Sequence, residues 1–167
     1  MATRKKPVRP ALAAGGGLLV IIVTAAVLSA LAHSAQSGNI AIGHIWANPS
    51  QGPAGQTAFY MRNMPAGNTI DVFGPLLNGG DTPDAVTSIT SPAALAVNIV
   101  AWFQGNQMTH DLPIALPPGK PVAFNPQTQF LRFYGVKQSY KTGDKFPVTF
   151  HFQQAPEITI DAYVETR

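Results

Sequence analysis

Short segments in which apolar and polar residues alternate dominate the chain from Ile40 onward. This period of two restricts the fold more than any other feature, because it is typical of strands that bury one face. The clearest examples are Phe146–Phe152 and Ile158–Glu165. Further candidate strands are Ile40–Trp46, Thr57–Arg62, Thr69–Phe73, Ala85–Thr90, Leu95–Phe103, Pro121–Phe124 and Gln129–Val136.

Turn signals separate these segments. The chain contains 15 Gly and 15 Pro, many of them in short motifs such as Asn78-Gly-Gly-Asp81 and Leu116-Pro-Pro-Gly119. Such motifs mark tight connections between strands. Roughly nine short strands at this spacing favour a two-sheet antiparallel sandwich. The predicted fold class is therefore all-β, with residues 40–167 as one domain.

The N-terminal segment has a different character. Residues 11–32 carry no charge, and four basic side chains precede them. As a helix this segment would measure about 33 Å, enough to cross a hydrocarbon core of about 30 Å. Because basic flanks stay cytoplasmic, we predict one transmembrane helix with its N-terminus inside. The alternative is a signal peptide cleaved after Ala30-Leu31-Ala32.

This interpretation divides the chain into four parts. Residues 1–10 form a cytoplasmic basic tip, 11–33 an anchor or uncleaved signal, 34–39 a polar tether, and 40–167 a periplasmic domain. The predicted location is the cytoplasmic (inner) membrane, with the lipid bilayer contacted through residues 11–32.

Composition excludes several function classes. Beyond the basic tip, seven Lys and Arg face eight Asp and Glu, so no basic patch predicts nucleic-acid binding. The chain has no cysteine, which excludes disulfides, Cys-type zinc sites, a lipid-modified Cys and blue-copper chemistry. No nucleophile, P-loop or metalloprotease motif occurs. We therefore expect a protein that is not an enzyme.

The histidines are the remaining candidates for metal chemistry. His33 is expected in the solvated tether, His44 at a packed or rim position, and His151 on a solvent-facing strand. Met108-Thr-His110 places a thioether and an imidazole on one side of an extended segment, and this donor pair suits Cu(I). Two donors do not close a site, so we predict no cofactor, with Cu(I) on Met108 and His110 as the alternative.

Five blocks, taken in order over residues 40–165, resemble the periplasmic copper(I) chaperone family known as PCuAC. The blocks are Gly43-His-Ile-Trp-Ala47, Thr57-Ala-Phe-Tyr-Met61, Ser91-Pro-Ala-Ala94, Leu112-Pro-Ile-Ala-Leu-Pro-Pro-Gly119 and Tyr140-Lys-Thr-Gly-Asp-Lys-Phe-Pro-Val-Thr-Phe150. The resemblance implies a cupredoxin-like β-sandwich that serves the copper centre of cytochrome oxidase.

The resemblance also implies four copper ligands, a His, a Met and a later His-x-Met pair. Carried onto this chain, the first His position holds Val100, and the Met position falls near His110, with Met108 just before it. The His-x-Met pair falls on Phe130 and Arg132. Most of these side chains cannot bind Cu(I), so the family's copper site is expected to be lost.

A sandwich without its ligands but with an anchor predicts an accessory subunit of a bacterial membrane complex, either a respiratory oxidase or a photosynthetic complex. The alternative is a copper chaperone with an altered Met/His site. The stretch from Asn63 to Asp84 is rich in Gly, Pro and Asn, and we expect a long partner-binding loop there.

Overall fold

A computed structural model describes residues 33–52 and 68–167. These residues form twelve strands and no α-helix. The strands are β1 (Ala35–Ser37), β2 (Ile40–Ile42), β3 (Trp46–Ala47), β4 (Thr69–Asn78), β5 (Asp84–Thr90), β6 (Ala96–Phe103), β7 (Asn106–His110), β8 (Ile114–Leu116), β9 (Pro121–Phe124), β10 (Gln129–Tyr134), β11 (Lys145–Phe152) and β12 (Ile158–Val164).

The principal sheet has the strand order β7-β6-β10-β4-β3-β12-β11-β5-β8. Its pairs are antiparallel except for β3 and β12, which run parallel through Tyr163 opposite Trp46. The last strand of the chain therefore lies inside the sheet, between β3 and β11. Strands β2 and β9 join through the second half of β4, and β1 pairs with β2.

Strand β4 links the two layers. Its first half pairs with β10 and β3, whereas its second half, from Gly74 to Asn78, pairs with β9 and β2. The change of partner occurs at Gly74, which has φ +145° and where a Cβ atom would lie 2.8 Å from the carbonyl oxygen of His44. A glycine is required there because the two chain segments approach so closely.

The core lies between the layers and follows the predicted alternation. On β11 the buried residues are Phe146, Val148 and Phe150, and on β12 they alternate from Ile158 to Val164. Burial of an aromatic side chain such as Phe150 contributes about 1.5–3 kcal/mol. The all-β class is confirmed, and the described strands include most of those predicted from the sequence.

Strand β4 confirms the strand predicted at Thr69–Phe73 and continues it to Asn78, so the loop expected within the Asn63–Asp84 stretch is wrong over residues 74–78. Leu77 pairs with Pro121 and Ala41, and Asn78 is almost fully buried, with its amide donating to the carbonyl oxygens of Thr82 and Leu116. The second half of this strand is hard to recognise in the sequence, because Gly and Pro, which stand at positions 74 and 75, are depleted in strand interiors.

Other differences concern short elements. The strand expected at Ile40–Trp46 is divided into β2 and β3, and β1 extends the sheet into the 34–39 segment expected to be a tether. Strands β6 and β7 form a hairpin that turns at Gln104 and Gly105, both with positive φ. Positive φ at both central residues is the geometry of a two-residue primed turn.

Two expectations lie outside the described residues. The candidate strand at Thr57–Arg62 and the segment 1–32 fall in undescribed parts of the chain. Within residues 33–52 and 68–167, no helix is long and apolar enough to cross a membrane.

Candidate functional site

Two of the ligand positions implied by the resemblance meet on the outer face of β6 and β10. Val100 and Phe130 are directly opposed across these strands, and each is 3% exposed. The Phe73 ring lies 5.8 Å from the Phe130 ring, and Trp46 packs 4.3 Å from Phe73. The positions are therefore filled by a small apolar cluster, here called the outer-face cluster, of Trp46, Phe73, Val100 and Phe130.

The third position, Arg132, follows Phe130 on the same face of β10. Its Nε and Nη2 atoms donate to the two carboxylate oxygens of Asp71 on β4, at 2.7 and 2.8 Å. Its Nη1 atom donates to Gln107 Oε1 at 2.9 Å, and the guanidinium lies 5.0 Å from the Phe130 ring centre. This fork geometry is the strong form of an ion pair, and the Asp71 hydrogen bonds raise the pKa of Arg132 although burial opposes them.

These contacts show whether the copper ion that the PCuAC resemblance implies could bind at these positions. Val100 and Phe130 offer no atom that could coordinate a metal, and Arg132 offers only N–H groups, three of which donate to Asp71 and Gln107. A Cu(I) ion needs thioether, thiolate or imidazole ligands. The residues at these three positions do not fit copper.

Met108 and His110 lie on β7, opposite Ala101 and Ile99 of β6. Because successive side chains alternate across a strand, both point to one face, and Thr109 shares the other face with Val100. The predicted Met/His pair is therefore brought together, but on the opposite side of the sheet from the other ligand positions. Both side chains are exposed.

The described residues contain no group of three or more His, Asp or Glu side chains that could hold a metal ion. The Met108–His110 pair stays a two-donor candidate.

His33, His44, Tyr163 and Glu165 form a second cluster, here called the histidine cluster. His44 Nε2 lies 2.8 Å from Glu165 Oε1, and the His33 ring lies 4.3 Å from the Tyr163 ring and 5.4 Å from the His44 ring. His44 thus has the rim position expected, but His33 is packed against β12 rather than solvated in a tether. In both histidines the Nδ1 atom is buried without a hydrogen-bond partner.

Electrostatics at this second cluster favour a charged carboxylate. Burial alone would raise the pKa of Glu165, but hydrogen bonds from Arg167 and His44 outweigh it and lower the pKa. Arg167 Nε donates to Glu165 Oε2 at 2.7 Å, so each carboxylate oxygen has its own partner.

The remaining histidine and the buried carboxylate have structural roles. His151 lies on β11 with Thr90 Oγ1 at 3.3 Å and Glu157 at 3.1 Å. Burial would raise the pKa of Asp84, but main-chain amides, including those of Ala85 and Ala155, donate to it and lower the pKa. A carboxylate held ionised in this way ties loops together and is unsuited to proton transfer at neutral pH.

Sequence reasoning missed two participants in these arrangements, Asp71 and the His33–His44 contact. Asp71 lies 61 positions from Arg132, and only the register of β4 against β10 brings the pair together. A signal did exist, since a lone acid in an otherwise apolar strand calls for a partner. No comparable signal indicated the histidine cluster.

Comparison with known proteins identifies a family for this chain. The model of the LpqE-like family, described as a lipoprotein family, matches residues 40–164. The search of curated proteins found no match.

Three solved structures share the fold. The copper-bound PCuAC domain from PmoF2 is 23% identical, with a TM-score of 0.61 over 81% of this chain and 99% of its own. The apo PCuAC domain from PmoF1 is 20% identical, with a TM-score of 0.60 over 81% and 100%.

Apo-DR1885 from Deinococcus radiodurans, a solution structure, is 14% identical with a TM-score of 0.51 over 100% and 95%. At these identities the likeness establishes a common fold, and the resemblance to PCuAC domains is confirmed. The match over residues 40–164 shows that the chain belongs to the LpqE-like family, and its domain has the PCuAC-like β-sandwich fold.

Proposed function

We propose that the protein is a membrane-anchored accessory subunit of a bacterial membrane complex, and that its PCuAC-like sandwich is an extracytoplasmic interaction module. One observation carries the proposal. Three positions that would hold copper ligands in a PCuAC domain meet in space and are filled by the Val100–Phe130 pair and the Arg132–Asp71 ion pair. A domain that keeps the fold but fills its ligand positions with apolar and ion-paired side chains is expected to have a function other than metal transfer.

The β6–β7 hairpin is the surface best suited to a partner. Phe103 and Met108, which are 57% and 46% exposed, lie on one face of the hairpin, whereas Trp102 lies on the other face and donates from Nε1 to the carbonyl oxygen of Pro126. Neighbouring apolar side chains exposed on one face mark interaction sites, and Phe and Met are enriched in interface cores. We assign this surface to another subunit of the complex.

The uncharged segment 11–32 would supply the anchor. An arginine at Val20 would stand near the centre of that segment, where a charge costs about 2.5–3.5 kcal/mol on insertion scales. Val20→Arg should release the protein from washed membranes, with Val20→Leu as the control that stays bound. Equal membrane retention of both variants would count against a spanning helix.

Native purification tests the accessory role directly. The full-length chain, tagged at its C-terminus, would be extracted in mild detergent and its co-eluting proteins quantified. A multi-subunit membrane complex at fixed stoichiometry is expected, with peptides from residues 1–32 still present. A lone protein that lacks those residues and carries copper would contradict the proposal.

Surface variants then locate the contact. Phe103→Ser combined with Met108→Ser should abolish co-elution while leaving the thermal unfolding temperature unchanged, because both side chains lie exposed on one face. Leu95→Ser is a matched control, because Leu95 is 60% exposed at the other end of the same strand region. Loss of co-elution with Leu95→Ser alone would move the interface away from the hairpin.

A second candidate is a Cu(I) carrier that uses Met108 and His110. The observation in its favour is that both side chains are exposed on one face of β7, where a soft cation can reach them. Cu(I) competition titration of the full chain tests it, and unchanged affinity in His110→Ala and Met108→Leu would eliminate it.

A further inference from the structure

Three buried side-chain atoms lack a hydrogen-bond partner in the part of the chain that the structure describes. They are Asn68 Oδ1, His33 Nδ1 and His44 Nδ1. Each such atom costs about 1–3 kcal/mol relative to a satisfied one. Two of the three are imidazole nitrogens on rings whose centres are 5.4 Å apart, and such a pair calls for an explanation, for example a bound ion.

Hydrogen bonding prepares His44 as a ligand. Glu165 accepts at 2.8 Å from His44 Nε2, and Arg167 holds the other carboxylate oxygen at 2.7 Å. With Nε2 carrying the proton, Nδ1 of the neutral ring has a free lone pair. A carboxylate that accepts from the second ring nitrogen is the common outer partner of a metal-binding histidine, because it fixes the tautomer and the ring orientation.

Tyr163 completes the surroundings. Its ring lies edge-on to His33 at 4.3 Å and stacks on His44 at 5.9 Å, with an interplanar angle of 27°. These ring contacts help to hold both imidazoles in place. Both histidines are thereby fixed by the fold: His44 follows β2 and His33 precedes β1, which pairs antiparallel with β2.

We propose that His33 Nδ1 and His44 Nδ1 form a two-nitrogen site for Cu(I), separate from the positions that the PCuAC resemblance implies. Structural zinc requires four ligands, and the described residues provide no group of three His, Asp or Glu side chains for it. Imidazole is a copper ligand, and monovalent copper accepts low coordination numbers. Because both imidazoles are neutral, the ion and its two ligands would carry only the single positive charge of Cu(I), which keeps the cost of burying charge low.

The site goes beyond the proposed function, because a metal ion bound there would lie at the junction between segment 11–32 and the sandwich. His33 directly follows that segment. A shared ion between His33 and His44 would fasten the start of β1 to the β2–β3 connection.

Cu(I) competition with a coloured chelator, on the full chain in mild detergent under anaerobic reducing conditions, tests the site. His33→Ala and His44→Ala are each expected to weaken Cu(I) binding at least tenfold. Met108→Leu and His110→Ala are the matched controls and should bind as the wild type does. Far-UV circular dichroism establishes that each variant keeps its strands.

X-ray absorption of the Cu(I)-loaded wild-type protein provides a readout that does not depend on variants. The proposed site predicts nitrogen scatterers and no sulfur, whereas a site at Met108 would add a sulfur scatterer. A sulfur signal, a loss of affinity confined to the Met108 and His110 variants, or a wild-type chain that does not compete for Cu(I) would each overturn the proposal. None of these outcomes bears on the co-elution experiment, which tests the accessory role.

Discussion

The surroundings of the outer-face cluster and the histidine cluster differ in whether their polar side-chain atoms have hydrogen-bond partners. Beside the outer-face cluster, Arg132 donates two hydrogen bonds to Asp71 and a third to Gln107. At the histidine cluster, the Nδ1 atoms of His33 and His44 are buried and unpaired. Yet the resemblance implies a metal at the first cluster and none at the second.

The difference teaches that a family's ligand positions and the places where a particular chain can bind a ligand are separate questions. Fold is inherited through buried apolar positions, whereas a binding site depends on a few side chains that can be replaced without loss of the fold. Unsatisfied polar atoms are a property of this chain itself, so they are the better guide to its remaining chemistry.

The largest expected effect is the removal of an aromatic from the outer-face cluster. Phe130→Ala should lower the free energy of unfolding by about 3–5 kcal/mol, because the side chain is 3% exposed and leaves a cavity. Urea denaturation measures it, with Phe103→Ala as the control. Phe103 is 57% exposed, so its loss should matter by no more than about 0.5 kcal/mol. Equal effects would show that the cluster is not packed as described.

The next effect concerns the ion pair. Asp71→Asn should cost about 2 kcal/mol, since Arg132 would stay half-buried without its charged partner. Asp161→Asn, which removes the exposed pair with Lys145, should have a much smaller effect. Chemical denaturation at neutral pH compares them. Similar small losses in both variants would mean that Asp71–Arg132 behaves as an ordinary surface pair.

A smaller effect is expected at the histidine cluster without metal. In His44→Phe the hydrogen bond to Glu165 is lost, but an unsatisfied buried nitrogen is removed as well. The two changes oppose each other, so the free energy of unfolding should change by less than about 1 kcal/mol. Thermal and urea unfolding in the presence of a copper chelator measure this. A loss above about 2 kcal/mol would make His44 a packing residue and weaken the contrast between the clusters.

The smallest effect is a pH dependence. Hydrogen bonds from Arg167 and His44 outweigh burial and lower the pKa of Glu165 below 4.5 in the folded protein. The ionised form is therefore favoured by folding, and this stability is complete above pH 4.5 and lost as the pH falls through the lower folded value.

Glu165→Gln should flatten the stability profile below pH 4.5 by less than about 1 kcal/mol, because the pair is partly exposed. Urea midpoints between pH 3 and pH 6 measure the difference, and the slope that remains should come from carboxylates such as Asp84, whose pKa is also lowered. Identical slopes in wild type and variant would show that the Glu165 hydrogen bonds do not persist in solution.

The sequence was sufficient for strands whose alternation is uninterrupted and insufficient for the others. β11 and β12 were predicted because their apolar residues recur at every second position. β7 was missed as a strand because Asn106–His110 is exposed on both faces and therefore has no apolar period. β4 was predicted only as far as Phe73, because Gly74 and Pro75, where the strand changes partners, are residue types depleted in strand interiors.

The site shows the same limit at the level of contacts. The resemblance correctly indicated that Val100, Phe130 and Arg132 belong together, since β6 and β10 are adjacent. It did not indicate the Asp71 partner or the pairing of His33 with His44, because both depend on strand register and not on local sequence. Register is decided by the whole buried face, which no local motif contains.

The position of β12 has a consequence for how the molecule is made. The last strand of the chain lies between β3 and β11 and makes the parallel pair with β3, so the sheet has a gap until residues 158–164 are available. Pairings between distant parts of a chain raise the contact order and slow folding. A chain emerging from its N-terminus would thus have an incomplete sheet until residues 158–164 have been synthesised. Truncation after Pro156 should therefore give a chain that does not reach the native state.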